Sequence, residues 1–346
     1  MAHKLAFVGF GGVGQGLAEI IKNKGSWLKE TFGVDFKIVS IADLYKGSLH
    51  HPEGLDIQAV LETLNKDGTL DSYPARDGLI RDWDSLTTIE RSNADTMVEI
   101  TFTDVNTGQP AIDHCKKAFV SGKNAVLTNK GPVALAYKEL KNMAEKHNVQ
   151  FMFEGTVMSG TPAIRMPLTS LAGNDVREIR GILNGTTNYV LTRMETGMEF
   201  KDALKEAQDK GFAEADPTSD VEGYDVLYKV IILANVIMNG DITKEDVSCK
   251  GISNVTAKDI DQAREEGKKW KLIGRIKKEN GTIHASVGPE KISEEDPLAG
   301  ISGALNAVTY ECDLSGPVTL IGAGAGIPET GFALLIDLIN MERASL

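Results

Sequence analysis

An α/β fold in two domains, an N-terminal doubly wound one followed by an α+β one, is predicted from three features of the chain. A short apolar run passes through a glycine-rich turn into a helical pattern at the very start, strand and helix patterns then alternate as far as Phe153, and antiparallel strand signals replace that alternation beyond it. Leu5-Ala6-Phe7-Val8 is the opening run, and Leu17-Ala18-Glu19-Ile20-Ile21 follows it at helical spacing. Further strands are predicted over 36–42, 97–100, 125–127 and 151–153, with a helix over 137–147. Elements in this order build a parallel sheet covered by helices. Between Tyr45 and Asp84 the chain is polar and irregular apart from a helix-like 57–64, and it is expected to run around the sheet edge.

Beyond Phe153 strands are predicted over 176–183 and 270–276, and a helix over 200–210. Glu279-Asn280-Gly281 signals a hairpin, and 307–312 with 318–321 flank Leu314-Ser315-Gly316-Pro317 as another antiparallel pair. Residues 1–150 are therefore expected to form the first domain and 151–318 the second. The segment 319–346, with its Gly322 to Gly326 turn and apolar 332–339 helix, is expected to pack back on the first.

Composition narrows the function. The chain of 346 residues carries 37 Lys+Arg against 49 Asp+Glu, a net charge of -12. No basic cluster is interleaved with aromatics, which argues against nucleic acid or an anionic membrane as partner and leaves a small molecule. Cys115, Cys249 and Cys312 are odd in number and far apart, so neither a disulfide framework nor a zinc site is expected. His114 beside Cys115 does not make a ligand pair, because adjacent helical positions diverge. The start shows no targeting signal, and the longest apolar stretch, 226–238, contains Lys229 and falls short of the roughly 20 residues of a spanning helix, so a cytoplasmic protein is expected.

Gly9-Phe10-Gly11-Gly12-Val13-Gly14 matches G-x-G-x-x-G directly between strand and helix, the context that makes the motif a dinucleotide fingerprint of a Rossmann domain. The first glycine permits the tight turn, the second the approach of a pyrophosphate, and the third close helix packing, with the helix N-terminus facing the anion. Asp43 ends the second strand, where a carboxylate accepts from ribose hydroxyls and repels a 2′-phosphate. NAD(H) is thereby favoured over NADP(H), although Lys46 nearby could greet a phosphate and Asp43 could simply start a turn.

The stretch from Phe212 to Lys229 is the most unusual. Glu214, Asp216, Asp220, Glu222 and Asp225 precede Lys229, which lies in a helix apolar on every side. A buried ammonium needs partners, and Asp225 stands four residues earlier on the same face. The pattern fits an internal salt bridge or an amine tuned for proton transfer. Lys130 follows a predicted parallel strand at its carboxyl end, where ligands bind, or else is a solvated loop lysine. Asn184-Gly185-Thr186-Thr187-Asn188-Tyr189 is a polar turn suited to presenting donors, or a helix cap.

Together these motifs, with the closing Gly322 to Pro328 turn, resemble the homoserine dehydrogenase family over nearly the whole chain. The resemblance implies NAD(P)-dependent interconversion of L-homoserine and L-aspartate 4-semialdehyde, on the biosynthetic route to threonine, methionine and isoleucine. It implies Lys130 and Lys229 near the reacting oxygen, with Gly185, Thr186, Glu214, Asp220 and Asp225 around the substrate. Coenzyme contacts are implied for Gly9 to Gly14, Asp43, Thr103 and Gly326. A monovalent cation such as sodium is implied on Glu154, Val157, Ser159 and Thr161, the glutamate by its side chain and the others by carbonyls. A homodimer built through the second domain is implied too, in a short form lacking the C-terminal regulatory domain of threonine-sensitive members. Two departures are Phe212, where a substrate-contacting tyrosine is common, and Glu329-Thr330 after the closing proline. Rival classes are a thioester-forming dehydrogenase, which would need a reactive cysteine in the crevice, and a non-catalytic nucleotide sensor, which would have no reason to bury Lys229.

Overall fold

The protein is described here by a computed structural model covering residues 2–344. Two compact units emerge, one running to Thr156 and resuming at Gly326, the other comprising Val157–Ala325. The division falls a few residues later than expected at both crossings. Phe151–Met152 pairs as the last strand of the first sheet, and Gly316–Ala323 is a complete strand of the second, so ladder hydrogen bonds carry each boundary onward.

The first unit opens with β1 (His3–Val8), α1 (Gly12–Phe32) and β2 (Phe36–Asp43). It continues through β3 (Gly47–His50), α2 (Ile57–Asp67), β4 (Ile80–Arg81), α3 (Ser85–Arg91) and β5 (Thr96–Glu99). Then come α4 (Ala111–Val120), β6 (Asn124–Leu127), α5 (Lys130–Lys146) and β7 (Phe151–Met152). The sheet order is β4-β3-β2-β1-β5-β6-β7, with β2 through β7 parallel across the centre. The stretch expected to be irregular supplies β3 and β4, which extend the sheet edge in antiparallel register. Such short polar strands carry too little alternation to stand out. The fifth helix begins seven residues ahead of its apolar pattern, at Lys130: Asn129 caps it by accepting from Gly131 N at 3.0 Å, and Pro132 is tolerated in the first turn, where its missing N–H has no intrahelical partner.

The second unit contains α6 (Arg165–Thr169), β8 (Val176–Ile182), α7 (Gly185–Glu195), α8 (Phe200–Asp209), α9 (Thr218–Val221) and α10 (Tyr224–Ile237). They are followed by β9 (Val247–Cys249), α11 (Ala257–Glu265), β10 (Lys268–Glu279), β11 (Thr282–Ser293), β12 (Leu305–Cys312) and β13 (Gly316–Ala323). The sheet order is β13-β12-β8-β10-β11-β9. Asn280 and Gly281 form the two-residue hairpin between Glu279 and Thr282, with φ of 50° and 83°, the pair of left-handed residues that suits the strand twist. One face of this sheet packs on α10. A side chain at Gly274 would stand 2.7 Å from Val230, so only glycine lets helix and strand approach this closely.

The chain returns to the first unit in α12 (Ile327–Ala344). Leu334, Leu335, Leu338 and Ile339 join Leu5 and Phe7 of β1 and Leu17 and Ile21 of α1 in one core. Each such side chain contributes about 1.5–3 kcal/mol by leaving water, so α12 is an integral layer of this unit.

Candidate active site

In the first unit the loop between β1 and α1 is shaped by backbone crowding. Gly9 has φ of 86°, and a Cβ there would lie 2.7 Å from the Ile100 carbonyl oxygen. Gly14 packs against Ile100 and Phe10, while nothing lies within 4 Å of a Cβ built on Gly11. Turn, open approach and close packing thus fall on the three glycines in the expected order, and the α1 N-terminus offers unpaired N–H groups beside the open one. Asp43 closes β2 and reaches back to this loop. One carboxylate oxygen accepts from Phe10 N at 2.7 Å, and the other accepts from Tyr45 N and Lys46 N at 3.0 Å each. Burial works to raise its pKa, but these three donors and the Lys46 charge outweigh it and hold the carboxylate below its ordinary value. Asp43 therefore both starts a turn and presents a charge to the glycine loop.

The second unit gathers a polar cluster at the start of α7 and α10. Lys229 is only 6% exposed. Its ammonium donates to the Leu183 carbonyl at 2.6 Å and to Asp225 Oδ2 at 2.7 Å. Asn184 Nδ2 donates to the same Asp225 oxygen at 2.9 Å and to Asp220 Oδ1 at 2.7 Å. Burial and the neighbouring Asp225 charge raise the Asp220 pKa above the ordinary carboxylate value, against the lowering by Asn184, Thr186 and Lys229. A carboxyl pair beside an ammonium is a site that can hold an amine and exchange a proton. Thr186 donates its hydroxyl to the Phe212 carbonyl, and the Phe212 ring packs 5.0 Å from that of Tyr189. Phe212 thus keeps an aromatic contact although it lacks the expected hydroxyl.

The other expected residues belong to other elements of the chain. Glu214 lies on the exposed loop after α8, with its backbone carbonyl accepting from Gln208. Lys130 is the first residue of α5, at the carboxyl end of β6. Thr103 lies half-buried in the loop after β5. Gly326 has φ of 135°, and its carbonyl accepts from Thr330 N at 2.9 Å at the entry to α12. Glu154 is buried at the end of the first unit, and Val157 and Ser159 are buried at the start of the second. Met158 and Ser159 take left-handed conformations, φ 58° and 53°, which turn successive carbonyls. Among the described residues no three His, Cys, Asp or Glu side chains converge on a common point.

Three polar residues escape sequence reasoning. Glu99, at the end of β5, is fully buried; one oxygen accepts from Thr101 N and Oγ1, and the other has no partner among the described residues. His114 contacts the first oxygen at 3.4 Å and Ser85 at 2.9 Å, so it belongs to this network. Asn184 was legible only as part of a turn. Lys271, between Trp270 and Leu272 in β10, is completely buried, at a strand position where alternation alone would leave a lysine facing solvent. The three cysteines are free, and burial pushes the Cys115 thiol well up, the opposite of what a nucleophile needs.

Comparison with known proteins resolves the family. The homoserine dehydrogenase family model matches residues 162–339. An NAD(+)-dependent homoserine dehydrogenase of Pseudomonas canavaninivorans is 45% identical over 99% of this chain and 97% of its own. A homoserine dehydrogenase of Methanocaldococcus jannaschii is 41% identical over 99% of both. The solved structure of a hyperthermophilic archaeal homoserine dehydrogenase mutant in complex with NADPH superposes with a TM-score of 0.84, at 30% identity over 99% of this chain and 98% of that one. The two-unit α/β architecture, the glycine loop and the buried Lys229 cluster thus occur together in a chain that belongs to the homoserine dehydrogenase family, NAD(P)-dependent oxidoreductases acting on a CH–OH group.

Proposed function

We propose that the chain interconverts L-homoserine and L-aspartate 4-semialdehyde in the cytoplasm, in the biosynthesis of threonine, methionine and isoleucine, with Lys229 handling the hydroxyl proton. The observation that carries this reading is the state of Lys229: an ammonium with three N–H groups donates two of them to Leu183 and Asp225. The third is left for a substrate oxygen. A bound nicotinamide coenzyme supplies the hydride acceptor or donor. In the reduction direction the ammonium polarises the carbonyl and donates to the oxygen as negative charge develops there. In oxidation the same nitrogen takes the hydroxyl proton, and Asp225 stabilises the charge so formed. Asp220 and Asp225, with Gly185 and Thr186, hold the amino-acid head group, and Lys130 and Glu214 complete the set by the family resemblance.

Coenzyme contacts are assigned to Gly9 through Gly14, Asp43, Thr103 and Gly326. Asp43 favours NAD(H), since its carboxylate lies beside the glycine loop. NADP(H) is the weaker alternative, and the archaeal relative carries NADPH. By the family resemblance a monovalent cation such as sodium is assigned to the segment from Glu154 to Thr161, whose carboxylate and carbonyl oxygens are hard donors. Glu154 would supply charge there, and Val157, Ser159 and Thr161 carbonyl oxygens.

The assembly is a homodimer formed by the second sheet's face opposite α10. By register Glu178, Arg180, Arg275, Thr309, Thr319 and Ile321 share that face, and Ile321 is 55% exposed. Arg275 pairs there with Glu178 and, at 2.7 Å, with Glu290, which satisfies the charges within one chain and leaves a preformed surface.

Lys229→Ala tests the reading. It is expected to lower kcat by at least about a hundredfold, the usual scale for losing a general acid–base group, while NAD(H) binding stays near normal. Activity within about tenfold of the unmutated enzyme would remove Lys229 from the chemical step.

A further inference from the structure

The amide of Asn184 sits where three demands meet. Its Oδ1 accepts from Thr187 N at 2.9 Å and from Thr187 Oγ1 at 3.0 Å, capping α7. That leaves Nδ2, with two hydrogens, turned toward Asp220 at 2.7 Å and Asp225 at 2.9 Å. The amide orientation is therefore not free: flipping it would set a donor against the Thr187 N–H and an acceptor against two carboxylates. We infer that Asn184 is a positioning residue for the reaction, a neutral double donor that lets Asp220 and Asp225 share one small space and keeps Asp225 aligned on the Lys229 ammonium.

Lys229 hydrogen-bonds Asp225 and reaches Asp220 only through its charge, so one ammonium serves two acids. Thr186 spends its hydroxyl hydrogen on the Phe212 carbonyl, which leaves the Asn184 amide as the side chain that donates to Asp220. Two carboxylates this close repel, and one of them tends to take up a proton. A doubly donating amide lowers that tendency for both at once without adding charge, which an arginine or lysine at this position would do. The consequence for chemistry is that the Asp225 carboxyl is held in line with the Lys229 nitrogen and fixes it in one direction. Both backbone segments that frame the cluster are tied to the same residue, because the cap on α7 and the spacing of the acids are made by opposite ends of one side chain.

This inference rests on Lys229 and the two acids forming the reaction site, and two substitutions separate the cap from the spacing. Asn184→Asp keeps the cap, because a carboxylate accepts from Thr187 N, but turns an acceptor toward Asp220 and Asp225. Asn184→Ser also keeps a capping oxygen but cannot reach both acids. The assay is homoserine oxidation with NAD(+) across the pH range, with thermal melting and NAD(+) titration alongside. Both variants are expected to lose about tenfold or more in kcat/KM for homoserine, to bind NAD(+) unchanged, and to move the acid limb of the profile up by about one pH unit, farther for Asp than for Ser. The sign follows because loss of the donor raises the pKa of the acid pair, so a proton is retained to higher pH. Profiles that superimpose on that of the unmutated enzyme, whether or not melting falls, would reduce Asn184 to a helix cap. If Lys229→Ala remains active the site itself has been misassigned, whereas an inactive Lys229→Ala with superimposing Asn184 profiles overturns the role of Asn184 alone.

Discussion

Replacing Asp43 by Asn removes one charge beside the glycine loop, where the coenzyme is proposed to bind, with little change of shape. A 2′-phosphate carries about two negative charges. At about 5 Å and an effective dielectric of about 20, each unit pair is unfavourable by about 3 kcal/mol. Asp43 is only half-buried, so solvent and salt remove much of this, and about 2 kcal/mol is a working figure for the discrimination against NADP(H). On the NAD(H) side, exchanging a charged acceptor for a neutral one weakens the bond to a ribose hydroxyl by about 1 kcal/mol. The ratio of kcat/KM for NAD(+) over NADP(+) should therefore fall by about a hundredfold in Asp43→Asn. The three backbone bonds of Asp43 make a control necessary, since Asn offers one acceptor where Phe10, Tyr45 and Lys46 all donate. Initial rates with each coenzyme at saturating homoserine give the ratio, and thermal melting reports any loosening of the loop. A ratio that moves by less than about threefold would mean that Asp43 only builds its turn. A strong NADP(H) preference in the unmutated enzyme would refute the reasoning earlier still and shift attention to Lys46.

Gly9→Ala should destabilise the first unit by about 2–4 kcal/mol in urea unfolding, because the new methyl meets the Ile100 carbonyl, which is backbone, at a positive φ; a change below about 0.5 kcal/mol would show that the loop can rearrange. Asp220→Asn should abolish activity yet raise the melting temperature at neutral pH. The folded-state pKa of Asp220 lies above its unfolded value near 3.8, so its favourable contribution is complete below pH 3.8 and is lost as pH rises through the folded pKa; the gain from Asn should therefore vanish in acid, and a variant less stable at neutral pH would contradict this sign. Ile321→Asp, which puts a charge on the exposed sheet face, should convert the proposed dimer to monomer in light scattering, and an unaltered mass would place the interface elsewhere.

Much of this architecture could be read in advance where one pattern fixed one element. The glycine loop is legible because strand, turn and helix are contiguous and each glycine has its own steric duty, seen in the Ile100 contacts of Gly9 and Gly14. The Asn280-Gly281 hairpin is legible because few residue pairs accept two positive φ values. β3 and β4 were missed because strands of four and two residues hold too few side chains to show alternation. The start of α5 was missed because its first turn, Lys130-Gly131-Pro132, carries loop-forming residues, and the Asn129 cap is what makes it helical. In the cluster, the link between Asp225 and Lys229 follows from helical spacing, whereas the link from Asn184 to Asp220 and Asp225 joins residues 36 and 41 positions apart and leaves no local trace.

Lys271 shows why burial alone could not have assigned Lys229. Both lysines lie in apolar segments of the second unit, and both have carboxylates nearby. Lys271 donates to the Ile301 carbonyl at 2.8 Å, to Asn188 Oδ1 at 3.3 Å and to Glu195 at 3.5 Å, so all three of its N–H groups have acceptors and its side chain is sealed from solvent. Burial lowers its pKa despite the help of Glu195. Such a lysine locks α7 to β10 and has nothing left to offer a ligand. Lys229 instead makes two donations and keeps a small exposed fraction. A buried ammonium with a donor in reserve is unfavourable for the fold unless something else satisfies it, since an unmet polar hydrogen out of water costs about 1–3 kcal/mol. Substrate oxygen is the natural acceptor, and that difference in hydrogen-bond accounting, rather than depth or charge, separates the structural lysine from the one assigned to the reaction.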